Sequence, residues 1–154
     1  MLTEESLTKM RQTDSPVHYL VGTPKGRLSK LEKRFLGMSW EQVRDSVEVK
    51  LLDEDGELYI LARSQGRVHK ERAMRRRRLK RLWKRLHALQ QQKLNRDQLL
   101  LKLGAAKKEA GRAYGLVTIA LPDKDQPVNA QTFTFVLNKK KFRQVRRREG
   151  HYLL

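Results

Sequence analysis

The sequence predicts an α+β fold in which antiparallel strands and a long basic helical hairpin occupy separate stretches of the chain. Three observations carry this. "SVEVKLL" and "ELYILAR" flank "DEDG", the pattern of a β-hairpin. Leu79, Leu82, Leu86 and Leu89 step by 3, 4 and 3, the spacing of a seam between packed helices. "YGLVTIAL" and "QTFTFVL" then return to β-rich texture. Strands and helices grouped in this way suit antiparallel pairing.

Taken in order, Thr3 caps a short helix whose first turn holds Glu4 and Glu5, where the helix dipole favours acids, and "DSP" at 14–16 stops it. "VHYLVG" (17–22) reads as a buried strand and "TPKG" (23–26) as a turn. Leu28, Leu31, Phe35 and Leu36 mark a helix closed by Gly37. The hairpin spans 46–63 with its turn near Asp55–Gly56. A long helix follows from about Gln65 to Gln92. Carried backwards, its leucine register meets Arg75 and Arg72, so only the second half is expected to pack. Asn95 caps a second helix bearing Leu99, Leu100, Leu101 and Leu103, which folds back to complete a helical hairpin over 65–110. Strands fill 114–121 and 131–137, Asn138 caps a very basic helix that Gly150 ends, and "HYLL" opens a last strand.

With 154 residues the chain has enough length for one core. It carries 35 Lys and Arg against 17 Asp and Glu, a formal charge of +18. Such an imbalance costs self-repulsion unless phosphates neutralise it, so DNA or RNA is the expected partner and an acidic membrane surface the next. The absence of cysteine excludes disulfides, thiolate catalysis and Cys-based zinc sites. No apolar run approaches the roughly 20 residues of a membrane span, and "MLTEESLTKM" does not resemble a signal peptide. A soluble, cytoplasmic protein is expected, with no membrane and no small-molecule substrate.

No catalytic grouping emerges. His18, His69, His87 and His151 lack metal-ligand spacing, "DEDG" is explained as a turn, and "GTPKG" lacks the P-loop pattern. The cations form two patches. Arg72, Arg75, Arg76, Arg77, Arg78, Lys80, Arg81, Lys84 and Arg85 make the first, with Arg75–Arg78 covering every side of one helical turn. Lys139, Lys140, Lys141, Arg143, Arg146, Arg147 and Arg148 make the second. Both are candidate phosphate contacts, which position nucleic acid without reading its sequence. Trp83 can stack on a base or, at helical spacing with Leu79 and Leu86, belong to the core.

At "YLVGTPKGRLSKLEKRFL", "VEVKLL…GELYILARS", "KERAMRRRRLKRL" and "RRREGHYLL" the chain resembles bacterial insertion-sequence transposases of the DDE type, in order over nearly its whole length. The combination of strings is specific where no single one is. The resemblance implies an RNase-H-like core carrying a β-rich and helical insertion between the second and third catalytic acids. It also implies DNA cleavage and strand transfer with two divalent metal ions (Mg2+), in a multimer on the transposon ends. In that family the second catalytic Asp ends a strand just before a helix like "TEESLTKM", and a Tyr–Arg–Glu–Lys helix follows a strand like "HYLL". No residue here matches any of the three acids. The chain is therefore expected to be a segment that binds no cofactor and is inactive alone.

On this reading 1–45 and 138–154 are parts of the core and 46–137 is the insertion. The expected partners are DNA and full-length transposase subunits, in a bacterial cytoplasm and on the nucleoid when DNA-bound. Some relatives receive a flipped base on a Trp of the insertion; neither Trp40 nor Trp83 is assigned that role. Two rivals remain: a free-standing basic DNA- or RNA-binding module that inhibits transposition, and an interaction protein pairing through the 79–103 helices.

Overall fold

Strand pairing between distant parts of the chain gathers residues on both sides of Ser46 into one sheet. The computed structural model describes residues 3–154 apart from 16, 24 and 55, so the expected stop at Pro16 and parts of the turns at 23–26 and 55–56 lie outside the described residues. In chain order the elements are α1 (Glu4–Arg11), α2 (Lys25–Phe35), β1 (Glu41–Arg44), β2 (Val47–Glu54), β3 (Glu57–Ser64), α3 (Gln65–Gln90) and α4 (Arg96–Ala110). A 3-10 helix (Gly111–Leu116), β4 (Val117–Ala120), β5 (Thr134–Leu137), α5 (Lys139–Arg147) and β6 (His151–Leu153) complete the chain. Two compact units result: residues 1–66 with 150–154, and residues 67–149. The protein is thus mixed α+β with antiparallel sheets.

The first unit is built on a four-stranded sheet of order β1-β2-β3-β6. β2 and β3 pair from Val47↔Ser64 to Glu54↔Glu57, with Gly56 at φ +73 in the turn, a conformation glycine adopts without strain. β6 returns to pair Leu61↔Leu153 and Arg63↔His151. This pairing draws the hairpin into the same unit as 1–45, whereas the texture change at Ser46 places it in the insertion. α2 buries Leu28, Leu31 and Phe35 against Leu52, Leu61 and Leu153. Each such side chain contributes about 2 kcal/mol by leaving water. The expected strand at 17–22 does not form. Val17 and Leu20 are exposed, and only Thr23 bridges to the sheet, at Leu153. Leu36, expected on the buried stripe of α2, is also exposed.

The second unit is the helical hairpin with a two-stranded ribbon. Leu82, Leu86 and Leu89 of α3 meet Leu99, Leu103, Ala106 and Ala110 of α4 in one cluster with Val117, Val128 and Phe133. Asn95 forms a reciprocal cap: its Oδ1 accepts from Gln98 N at 2.8 Å while its own N–H reaches Gln98 Oε1 at 3.1 Å. β4 and β5 pair from Val117↔Leu137 to Ala120↔Thr134. They are shorter than the expected 114–121 and 131–137, because Gly111–Leu116 winds as a 3-10 helix and Asn129 turns the chain by accepting from the backbone of Gln131 and Thr132. Asn138 caps α5 as expected, through Lys141 N at 2.9 Å.

Candidate nucleic-acid interface

The charge is not shared between the units. Residues 67–149 hold 25 of the 35 Lys and Arg but only 6 of the 17 Asp and Glu, a net +19; the remainder of the chain is at −1. Within the second unit, α3 and α5 supply most of the cations.

Packing of α3 sorts its cations by face. Arg75 continues the register of Leu79, Leu82 and Leu86 one turn earlier, so it points inward and its side chain is only 11% exposed. There it forms an ion pair with Glu149, itself buried at 4% exposure, and its guanidinium lies 4.9 Å from the centre of the Phe142 ring. Arg72 reaches the same carboxylate, Nε to Oε2 at 3.4 Å. Burial, with Arg146 and Arg72 close by, pushes the Arg75 pKa below the usual guanidinium value. Arg75 is thereby corrected from a phosphate contact to an internal one. The expectation that the four arginines present charge on every side of the turn is corrected with it.

Two other candidates are partly engaged. Arg85 donates to Glu109 at 2.7 Å, and the Arg78 guanidinium lies against Gly111 at the end of α4, where carbonyls and the helix dipole favour a cation. That leaves Arg76, Arg77, Lys80, Arg81 and Lys84 exposed on the outer face, and among the described residues no acid pairs with them. Arg76, Lys80 and Lys84 recur every four residues, about 6 Å apart along the axis. On α5, Phe142 turns toward α3 while Lys139, Lys140, Lys141, Arg143, Arg146, Arg147 and Arg148 are exposed.

The structure brings the two basic patches together, and Glu149 with Phe142 does the joining. Sequence reasoning missed both. A signal was present: Glu149 is the sole acid between 126 and 154, and Arg75 falls on a seam position.

The tryptophans are accounted for by packing. Trp83 meets Phe135 edge-on at 5.1 Å and borders the α3–α4 core. Trp40, in the first unit, lies under Lys50 at 4.9 Å and Arg63 at 4.6 Å. Among the described residues no three His, Asp or Glu side chains converge to hold a metal ion. Among the described residues no helix is long and apolar enough to cross a membrane. No family model matches the chain, and no curated protein or solved structure matches it.

Proposed function

We propose that the chain binds DNA through its phosphate backbone, as a segment of an insertion-sequence transposase of the DDE type. The observation that carries the binding is the +19 concentrated in residues 67–149, with exposed, acid-free rows on α3 and with α5 held against α3. Lys and Arg presented this way neutralise phosphates and release counterions, giving affinity with little sequence preference. The transposase assignment rests on the ordered resemblance of four strings along the chain. In it the RNase-H-like core supplies cleavage and strand transfer with two divalent ions, while this segment contributes DNA contacts and scaffold.

Titrating the full chain into a labelled duplex of about 20 base pairs tests the binding. With about six cations on phosphates, log K falls against log salt with a slope of about −5. Affinity indifferent to salt overturns the reading. Translating the genomic DNA on either side of the reading frame tests the parentage. A strand ending in Asp upstream and a Tyr–Arg–Glu–Lys helix downstream support it; unrelated sequence on both sides removes it.

A further inference from the structure

We propose that Glu149 is a positioning residue of the phosphate-binding surface, clamping α5 to α3 so that both basic rows meet the same stretch of nucleic acid. The inference rests on the phosphate-binding reading above. Its basis is a contradiction in simple charge terms: a protein selected only for attraction to phosphate gains nothing from an acid in its most basic stretch. Glu149 follows three successive arginines, yet it is buried, and its carboxylate meets Arg72 and Arg75 of α3.

Arg75 in turn rests on Phe142 of α5, so carboxylate, guanidinium and ring form one clasp between helices separated by 48 residues of sequence. Without the acid, Arg72, Arg75 and Arg146 face one another unneutralised. The depressed Arg75 pKa has that repulsion among its causes.

The two roles available to Glu149 differ in sign. If it merely offsets charge, Glu149→Gln raises the second unit from +19 to +20 and tightens binding. If it positions α5, the same change loosens α5 and weakens binding despite the added charge. Each phosphate contact contributes about fivefold at 0.15 M salt, so losing two of six weakens affinity about 30-fold and moves the slope from about −5 to about −3.5.

The experiment is duplex binding by fluorescence anisotropy across about 0.1–0.3 M salt, for wild type, Glu149→Gln and Glu109→Gln. Glu109 is an exposed acid paired with Arg85, so its variant makes the same charge change without touching the clasp. The expected result is weaker binding and a shallower slope for Glu149→Gln, with Glu109→Gln at least as tight as wild type. Glu149→Gln binding as tightly as wild type, at unchanged slope, overturns the proposal.

Should Glu149→Gln fail to fold, Arg75→Ala with Glu149→Ala removes both halves of the pair at constant net charge and leaves neither buried charge facing an empty partner. A slope near −3.5 from that double variant supports the clasp; a wild-type slope overturns it. A wild type that ignores salt instead removes the phosphate-binding reading itself, so the two failures are distinguishable.

Discussion

Arg75 and Arg77 lie two residues apart on one helix, and the same substitution at each is expected to damage different properties. Arg75→Gln removes the closest partner of a carboxylate that is 3% exposed; Arg72, whose side chain is 49% exposed, stays beside it. Breaking a buried ion pair from one side costs about 3–5 kcal/mol; with Arg72 retained, about 2–4 kcal/mol is expected. For a unit of this size each kcal/mol lowers the midpoint by about 4–8 °C, so the second unit should melt about 8–30 °C earlier. Arg77→Gln removes an exposed cation that no acid among the described residues pairs with. Its melting temperature should match wild type while duplex affinity at 0.15 M salt falls about fivefold. Thermal melts followed by circular dichroism, with anisotropy titrations alongside, separate the two. Equal midpoints for both variants would refute the inward assignment of Arg75.

Two further outcomes follow from local geometry. Gly111 ends α4 at φ +54, and a Cβ there would stand 3.3 Å from Arg78 Nη1, so Gly111→Ala should cost about 1–3 kcal/mol in urea denaturation; a cost under about 0.5 kcal/mol removes the strain argument. Burial beside Leu103, Val117 and Ile119 pushes the Tyr114 pKa above its ordinary 10.0, so the phenol stays protonated longer when folded than when unfolded. Its contribution is full below about pH 10 and is lost as pH rises through the raised value. Tyr114→Phe should therefore lose less stability than wild type between pH 10 and 11, and parallel alkaline profiles would contradict this.

What the sequence disclosed depended on whether both partners of an interaction were local. The Asn95 and Asn138 caps rest on residues within one turn, and the α3 seam and the β2–β3 hairpin on partners that follow in the next element of the chain; each is present. β1 went unforeseen because its four residues are all exposed and carry no alternation; pairing with β2 makes it a strand. At 17–22 the opposite holds: the residues have strand propensity, but no neighbouring strand supplies a ladder beyond Thr23. The placing of 46–63 and 150–154 in one compact unit was not legible for a similar reason, since β3 meets β6 across some ninety residues. The basic patches were readable from composition alone. Their sorting into inward and outward cations was not, because Arg75 takes its direction from Glu149, 74 positions away.

The return of β6 to β3 also sets an order of events during synthesis. Leu61 cannot find Leu153 until the intervening residues have left the ribosome, about 5–20 s later at ordinary elongation rates. Through that interval β3 offers an unpaired edge, a template for wrong partners. The second unit, whose contacts within α3 and α4 are largely local, can fold meanwhile. When it does, the clasp of Glu149 on Arg72 and Arg75 gathers the two ends of that unit and shortens the loop that β6 must close. Completion of the sheet is thereby coupled to the folding of the charged unit inserted within it.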